Sequence, residues 1–573
     1  MKRIWWKEAI GYEIYPRTFY DSNGDGIGDL PGIIAKLDYL HGLGVNLLWI
    51  CPFFKSPMDD YGYDVADFMT VDPIFGTNED FKLLLKEAHG RDMKVIIDFV
   101  LNHTSDEHRW FLEARRNRYS KERQYYIWKD PKYDEYGGMI PPNNWGGFFS
   151  ESAWSYDDSA KQYYMHIFSK KMPDLNWENH GLREEIYSIA RYWLDQGVDG
   201  FRLDAIAHLA KDNSFKDSPQ KANLEGFTLD FGKFSSIPRL FDYLREFKEE
   251  VLMKYPRIMT IGEVGGMAST EDALKYSNTR DGSLNMVFNF DTCWENGAYG
   301  SDEKLDYQIT TNVLNLKRLF KKWYDDCSGK AWLPLYWGNH DHPRVVSQYG
   351  SVRYRNESAK MLATTLLFMY GTPFLYNGEE IGMSNVDYTR ITDFKDVSAL
   401  NYARKASNRL SEDQILRFLK RTSRVNARTP MQWTSEPQAG FSSVAPDQKV
   451  NSNYPTVNVM RQEADPESIL NFYKKAIAIR KDPSILDAVL DGPFELVEPD
   501  HPDVFAYLHR SAKSLLVISN FRSYEVAFRL THRIRKILLH NYPTMEKRGL
   551  MLQLRPFESY LLELEPPSPF NHE

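Results

Sequence analysis

The chain has 573 residues with 42% hydrophobic and 26% charged side chains, a composition typical of soluble globular proteins and a length sufficient for a large core. Its formal net charge of −8 argues against nucleic acid or an anionic membrane as a partner. The three cysteines, Cys51, Cys293 and Cys327, lack metal-ligand spacing and favour a reducing compartment, the cytoplasm, over a disulfide framework.

The N-terminus lacks the pattern of a secretory leader, because Lys7 and Glu8 interrupt the apolar stretch that a leader needs. No uncharged run approaches the roughly 18 residues of a membrane span. We therefore predict a chain without a membrane segment.

Short apolar runs alternate with helical patterns along the chain. Helical periodicity spans residues 30–43, 81–89, 184–196 and 237–254. The apolar runs, each short enough for a buried strand, are residues 12–15, 45–50, 94–100, 200–204, 259–264, 285–290, 332–337 and 372–376. Eight strands alternating with helices predict an α/β fold, a (β/α)8 TIM barrel, whose active site lies where the strands end.

The barrel is predicted to occupy residues 1–103 and 173–492. Residues 104–172, after the third strand, are rich in Tyr, Trp, Asn, Asp and Gly and predict an inserted domain over the catalytic face. Residues 381–459 or thereabouts, after the eighth strand, form a second polar insertion without clear periodicity. Short alternating runs over 493–573 predict a C-terminal antiparallel β domain.

Ionisable side chains fall at the ends of several predicted strands. In the fourth strand, GFRLD, Arg202 and Asp204 point to the same face because strand side chains alternate. The neighbouring arginine is expected to keep Asp204 ionised, as a nucleophile requires. A structural ion pair would give the same pattern in the sequence.

Glu263 ends the fifth predicted strand, so its carboxyl group lies about 5 Å from that of Asp204 across the ladder. A separation of about 5 to 5.5 Å is that of a retaining glycosidase, in which one carboxylate attacks the sugar and the other protonates the leaving oxygen. A third carboxylate, Asp341 in the string NHD, follows the seventh strand.

The ordered motifs DFVLNH, GFRLD, IGE and NHD resemble those of the alpha-amylase superfamily of glycoside hydrolases. The strings DSNGDGIGDL, MPDLNWEN, YNGEEIGM and NARTPMQW are similar to its oligo-1,6-glucosidase and maltase branch, and the match runs from about residue 4 to residue 433. The resemblance implies a retaining, exo-acting alpha-glucosidase. In it Asp204 is the nucleophile, Glu263 the general acid and base, and Asp341 the transition-state stabiliser.

The resemblance also implies a closed subsite for the glucose at the non-reducing end of a small oligosaccharide or disaccharide. Tyr63 would stack on the sugar ring, and Asp64 with Arg424 would bind its far hydroxyls. The residues implied in substrate binding are Tyr63, Asp64, His103, Phe168, Arg202, Ala205, His340 and Arg424.

Residues 21–29, DSNGDGIGD, alternate oxygen-bearing side chains with glycines and resemble the start of a calcium loop. The glutamate at the twelfth position of an EF-hand is absent, and an Asx-rich turn is the alternative interpretation. The resemblance implies a structural Ca²⁺ that stabilises the fold, without a catalytic role and without an organic cofactor. Its ligands would be Asp21, Asn23, Asp25, the carbonyl of Ile27 and Asp29.

The residue after the nucleophile bears on linkage. In the branch that the chain resembles, valine there accompanies preference for α-1,6 bonds, whereas alanine or threonine accompanies α-1,4, so Ala205 implies a maltose-type substrate. Two positions depart from the branch pattern. Met172 replaces a common glutamine and Val425 a common aspartate, which leaves the division of roles between Arg424 and Arg428 open.

Other interpretations fit the same motifs. Within the branch these are an oligo-1,6-glucosidase acting on isomaltose, a sucrose isomerase and a trehalose-6-phosphate hydrolase. A catalytically dead barrel, similar to the subunits that chaperone amino-acid transporters, would lack the carboxylate set and carry a membrane span. Retaining chemistry also permits transglycosylation. We expect a monomer or a weak homodimer.

Overall fold

The computed structural model describes residues 4–223, 225–265, 269–291 and 311–566, so Cys293 lies outside the described residues. Its centre is an eight-stranded parallel sheet in the order β6-β5-β4-β3-β2-β1-β8-β7. A parallel bridge between Met286 and Trp332 joins the two edges. The strands are β1 Gly11–Ile14, β2 Leu47–Ile50, β3 Lys94–Val100, β4 Gly200–Asp204, β5 Met259–Glu263, β6 Met286–Phe288, β7 Pro334–Leu335 and β8 Thr372–Tyr376. The predicted barrel is confirmed.

Burial on both faces explains why the barrel strands are nearly continuous apolar runs. Every residue of β1 and β2 is buried, as is every residue of β3 after Lys94. Four strands, β2, β5, β6 and β7, are shorter than their apolar runs, and the shortest are β6 with three residues and β7 with two. Pro334 has no N–H to donate to a ladder, which limits pairing in β7.

Several helices around the barrel begin at side-chain caps. The helix Asn78–His89 starts at a capping box between Thr77 and Asp80. The predicted helix over 30–43 is two helices that meet at Lys36. The described helices are Trp5–Glu8, Leu30–Ala35, Leu37–Leu43, Asn78–His89, Arg109–Arg116, His180–Asp195, Arg239–Glu250, Thr270–Ser277, Val313–Cys327, Val345–Gln348, Arg355–Leu367, Val397–Ala406, Glu412–Thr422, Val459–Ala464, Ile469–Lys481 and Pro483–Asp491.

The segment after β3 forms a small domain of its own. Its antiparallel sheet consists of Trp128–Lys129, Gln162–Met165 and Trp154–Asp157, with the further pair Lys132–Tyr133 and Met139–Ile140. A separate apolar cluster that includes Trp145 and Ile167 supports it. The chain leaves this domain through Phe168, so the insertion contributes a wall to the barrel mouth.

The sequence of the segment after β8 shows no clear periodicity, but the segment contains regular helices. It contains the helices Val397–Ala406 and Glu412–Thr422, which share a small core. Three of the core positions on the first helix are alanines, Ala399, Ala403 and Ala406, which give only a weak apolar stripe in the sequence.

The C-terminal region is the predicted antiparallel β domain. Its five-stranded sheet runs in the order Phe494–Val497, Val504–His509, Leu515–Asn520, Ser559–Leu564 and Ile534–His540. A second sheet contains Val526–Arg529, Met551–Leu554 and Lys547–Arg548. Within the described ranges, no helix combines the length and the apolar character needed to cross a bilayer.

Candidate active site

One arginine binds three carboxyl groups at the C-terminal end of the barrel. Strand β4 lies between β3 and β5, which brings Arg202 beside Asp98 and places Glu263 on the other side. Arg202 Nη1 donates to Asp98 Oδ1 and to Asp204 Oδ1, each at 2.6 Å, and Nη2 lies 3.0 Å from Glu263 Oε2. The two predicted catalytic carboxyl groups therefore lie side by side against a single guanidinium.

Burial dominates the ionisation of this cluster. Burial raises the pKa of Asp204 well above its ordinary value; Arg202 opposes the shift, whereas Glu263 and Asp98 add to it. Arg202 therefore does not by itself keep Asp204 ionised, contrary to the expectation from the sequence. Carboxyl groups this close disfavour one another's charged forms, so the cluster titrates as a coupled group.

The residue after Asp204 turns the chain back toward Glu263. Ala205 is in the left-handed region, with φ 47° and ψ 32°, and its N–H donates to Glu263 Oε2 at 3.0 Å. The short 3-10 turn Ile206–His208 follows. This geometry gives Glu263 a second donor and places the Ala205 methyl group in the pocket wall.

The third predicted carboxylate, Asp341, is held by cations on both oxygens. Its Oδ2 lies 3.1 Å from His340 Nε2, and its Oδ1 lies 2.8 Å from Arg428 Nη2 and 3.3 Å from Arg424 Nη1. Burial alone would raise the pKa of Asp341, but His340, Arg428 and Arg424 hold it well below its ordinary value. Asp341 is therefore a fixed negative charge beside the reacting carboxyl pair.

Arg424 lines the pocket and is held by two aspartates. Its Nη2 lies 2.6 Å from Asp60 Oδ1 and 2.7 Å from Asp396 Oδ2, and the three residues are almost completely buried. Arg428 makes different contacts, since its Nε donates to the carbonyl of His340 at 3.0 Å and its Nη2 donates to Asp341 Oδ1 at 2.8 Å.

Asp64 is not in the pocket, which corrects the expectation from the resemblance. It is fully buried, and its carboxylate accepts from Ser56 Oγ at 2.9 Å and from the N–H groups of Asp59 and Asp60 at 2.8 and 3.0 Å. Burial raises the pKa of Asp64 to about 6. The carboxylate that faces the pocket beside Arg424 is Asp60.

The cavity beside these groups has a volume of about 190 Å³. Its aromatic wall is built by Phe168, which stacks on Phe148 with ring centroids 5.0 Å apart and lies 5.3 Å from the ring of His103. Burial lowers the pKa of His103 to about 3, so its imidazole is neutral. The lining residues are Asp60, Tyr63, His103, Phe148, Phe149, Phe168, Met172, Asp204, Ala205, His208, Glu263, Gly265, Phe290, Asp341, His342, Ser398 and Arg424.

Two predicted substrate residues, Arg202 and His340, lie behind this lining and act on it through hydrogen bonds. Sequence reasoning missed Asp60 and the aromatic side chains Phe148, Phe149 and Phe290. The only signal for Asp60 was its place in MDDYGYD, beside Tyr63.

The loop over residues 21–29 wraps around the side chain of Asp21. Asp21 accepts from the N–H groups of Asn23, Gly24 and Gly26 at 2.7 to 3.1 Å, and Gly24 and Gly26 have φ of 80° and 91°. Asp29 caps the following helix by accepting from the Gly32 N–H at 2.6 Å. The side-chain atoms that this loop can offer to a metal ion are oxygens, which suits Ca²⁺. Within the described residues, however, its carboxylates do not converge to within 4.8 Å as a group of three.

Residues 13–488 of the chain match the alpha amylase catalytic domain family. This range includes nearly all of the barrel, its insertions and the whole pocket. The chain belongs to the alpha-amylase family. It is a glycoside hydrolase, and the resemblance seen in its motifs is confirmed.

Three relatives of this family member show how far the similarity extends. The chain is 42% identical to an oligo-1,6-glucosidase of Parageobacillus thermoglucosidasius over 99% of its own length and 100% of the relative. It superposes on a trehalose-6-phosphate hydrolase of Bacillus licheniformis with a TM-score of 0.89 at 38% identity, covering 98% and 100% of the two chains. It superposes on an isomaltulose synthase of Klebsiella with a TM-score of 0.91 at 34% identity, covering 99% and 100%.

Proposed function

We propose that the chain is a retaining, exo-acting alpha-glucosidase that releases glucose from the non-reducing end of short alpha-glucosides. The observation that supports this is the buried charged cluster of Arg424, Asp60 and Asp396 at the pocket that Asp204 and Glu263 also line. We propose that this cluster closes the pocket around the terminal glucose, which would admit a chain terminus and exclude an internal segment of a polysaccharide. The bond to the next sugar would then lie beside the carboxyl pair Asp204 and Glu263.

The proposed reaction is a double displacement. An Asp204 carboxylate oxygen forms a bond to the anomeric carbon as the bond to the leaving oxygen breaks, and Glu263 transfers its proton to that oxygen. Water then attacks the glucosyl ester, Glu263 takes up the proton from the water, and Asp204 leaves as a carboxylate. Two inversions return the α-anomer. Asp341 stabilises the positive charge that develops at the anomeric carbon in both steps.

We propose preference for α-1,4 bonds, supported by the small side chain of Ala205 in the pocket wall. Because Ala205 is left-handed, a β-branched residue adds backbone strain as well as volume. Ala205→Val is expected to raise the isomaltose to maltose ratio of kcat/KM, within the roughly 10- to 200-fold that one methylene-sized change controls. Ala205→Thr is the matched control, because it has the same shape and strain with a hydroxyl group.

The experiment is a panel of maltose, isomaltose, sucrose and trehalose 6-phosphate, with the released anomer followed by NMR. Alpha-glucose from maltose supports the proposal, whereas beta-glucose contradicts the retaining mechanism. Faster cleavage of isomaltose would support the second candidate, an oligo-1,6-glucosidase, which the 42% identity to such an enzyme favours. An unchanged ratio in Ala205→Val would remove Ala205 as the basis for linkage preference.

We also propose that residues 21–29 bind a structural Ca²⁺, supported by the oxygen donors of Asp21, Asn23, Asp25 and Asp29 around two left-handed glycines. Added Ca²⁺ would stabilise the parent by about 2.7 kcal/mol at a hundredfold excess over Kd, seen as a higher Tm than in EGTA. Asp25→Ala should abolish the difference, and Asp413→Ala, at an exposed site elsewhere, should retain it. A Tm that is equal in Ca²⁺ and EGTA would contradict the proposal.

We further propose a cytoplasmic location and a monomer or weak homodimer. The free, buried thiols of Cys51 and Cys327 support a reducing compartment. Cell fractionation tests the location, and light scattering across a concentration series tests the assembly.

A further inference from the structure

A buried carboxylate on β1 lies on the far side of His340 from the pocket. Glu13 is 1% exposed, and its strand position is beside Trp49 of β2 and Tyr376 of β8. Its Oε1 lies 2.6 Å from His340 Nδ1, 3.3 Å from the His340 backbone N and 3.4 Å from the thiol of Cys51. Three donors therefore converge on one oxygen of Glu13.

The other imidazole nitrogen also faces acceptors. His340 Nε2 lies 2.7 Å from Tyr63 Oη and 3.1 Å from Asp341 Oδ2, and Tyr63 Oη donates to Asp98 Oδ2 at 3.2 Å. A neutral imidazole has only one N–H and would present a lone pair to one of these carboxylates. The doubly protonated ring satisfies both sides at once.

A metal is the alternative occupant of this cluster, since Glu13, Cys51 and His340 could together supply three ligand atoms. Two ligands on one tetrahedral zinc lie about 3.3 Å apart, given metal-ligand bonds of about 2.0 Å. The 2.6 Å between Glu13 Oε1 and His340 Nδ1 is instead a charge-assisted hydrogen bond. Burial raises the pKa of the Cys51 thiol, so the sulfur is a donor and not a thiolate ligand.

We propose that Glu13 is a positioning residue for the glucosidase reaction, holding His340 in the charged form that fixes Asp341 and Tyr63 against the sugar. This inference rests on the proposed function and adds a residue outside the pocket lining to its machinery. Glu13 touches no substrate and acts through the imidazole.

The surroundings of His340 favour its charged form. Burial would lower the pKa of His340, but the carboxylates of Asp341 and Glu13 raise it well above its ordinary value. The titratable and charged groups that face it from the packed elements are Glu13, Tyr15, Cys51, Tyr63, Asp98, Asp341, Tyr376 and Arg428. Glu13 and Asp341 are the two whose carboxyl oxygens contact the ring nitrogens.

Glu13→Gln tests the charge, because glutamine keeps the size and an acceptor oxygen. With a neutral side chain at position 13, His340 loses its proton at lower pH. The alkaline limb of kcat/KM on p-nitrophenyl α-glucoside, whose leaving group needs no proton from Glu263, is therefore expected to shift down by about one pH unit or more. Glu380→Gln is the matched control. Glu380 is a fully buried carboxyl group that accepts from Tyr12 and Tyr39 and does not line the pocket, so the limb should stay in place.

A uniform loss of activity in Glu13→Gln with an unmoved limb would overturn the inference, because packing alone would give that result. If Glu13→Gln does not fold, His340→Gln decides. If the alkaline limb of kcat/KM seen in the parent is absent from His340→Gln, the role given to His340 is supported. If the limb stays at its original pH, the inference is overturned.

A second measurement, thermal stability as a function of pH, does not depend on enzymatic activity. A histidine whose pKa is raised on folding contributes stability that is complete below its unfolded pKa and is lost as pH rises through the folded pKa. The Tm difference between the parent and Glu13→Gln should therefore narrow as pH rises, and a constant difference would overturn the inference. If none of the disaccharides is cleaved, the proposed function fails while this measurement still tests the pairing of Glu13 with His340.

Discussion

Replacing Asp60 or Asp64 by asparagine separates the pocket acid from the structural acid in one loop. Asp60 Oδ1 lies 2.6 Å from Arg424 Nη2 and faces the cavity. A hydrogen bond that involves a charged group contributes about 1.5 to 3 kcal/mol. If Asp60 binds a glucose hydroxyl in the transition state, Asp60→Asn should lower kcat/KM by about 10- to 150-fold.

Asp64→Asn should behave in the opposite way. The Asp64 carboxylate accepts from Ser56 and from two backbone N–H groups, and an amide nitrogen turned toward those donors leaves at least one unsatisfied. The expected loss is about 1 to 3 kcal/mol of folding stability. The kcat/KM of the folded fraction should remain within about threefold of the parent, since the cost falls on folding.

The assay is hydrolysis of p-nitrophenyl α-glucoside together with urea denaturation of each variant. Asp60→Asn should lose rate in a protein that still folds, because Asp396 and Asp341 continue to hold Arg424, and Asp64→Asn should lose stability at nearly parental rate. Equal rates in Asp60→Asn and the parent would refute the assignment of Asp60 to the pocket. A large rate loss in stable, folded Asp64→Asn would restore the original expectation from the resemblance.

Two further predictions concern the reacting pair. Glu263→Gln should lower kcat/KM on maltose by about 10²- to 10⁴-fold and kcat/KM on p-nitrophenyl α-glucoside much less, because that leaving group needs no proton. Asp204→Asn should lower both values equally. Equal losses on both substrates in Glu263→Gln would reassign the acid. Because burial raises the pKa of Asp204, kcat/KM should fall as pH drops through that raised value, and Asp98→Asn, which removes a neighbouring charge, should move this acid limb to lower pH. An acid limb in the ordinary aspartate range, near pH 4, would contradict the raised pKa.

Strand periodicity predicted the carboxyl cluster because the side chains involved are fixed by the barrel ladder. Arg202 and Asp204 alternate with buried apolar residues, and parallel pairing places Asp98 and Glu263 beside them. The loop that carries Asp60 and Asp64 has no such periodicity from which the direction of a side chain can be predicted. Met58, Tyr61 and Gly62 have φ of 66°, 51° and 109°, and each such residue reverses the local direction of the chain. Which aspartate faces the pocket is therefore decided by the folded loop and its contact with Arg424.

The second insertion shows another limit. The helix Glu412–Thr422 buries Ile415, Leu419 and Thr422 and packs Leu416 and Phe418 partly against the same core, and its partner contributes alanines. The partner helix is the weak part of the sequence signal, because alanine adds little to an apolar stripe. Glu13 could have been noticed from the sequence, because it is an acid within the apolar run over 12–15 and a buried acid needs a partner. Its partner, His340, lies 327 residues away, and only the fold brings the two together.

The carboxyl groups around the pocket outnumber the cationic side chains that face them. Among the described residues around the cavity, the carboxyl groups of Asp60, Asp98, Asp204, Glu263, Asp341 and Asp396 face three arginines and His340. Without substrate this surplus disfavours the charged form of the cluster, in the same direction in which burial, Glu263 and Asp98 move the pKa of Asp204. A glucosyl group that develops positive charge at the anomeric carbon supplies the missing cation only near the transition state. The surplus therefore favours the transition state over the neutral substrate, and the protein pays for this with repulsion in the empty site.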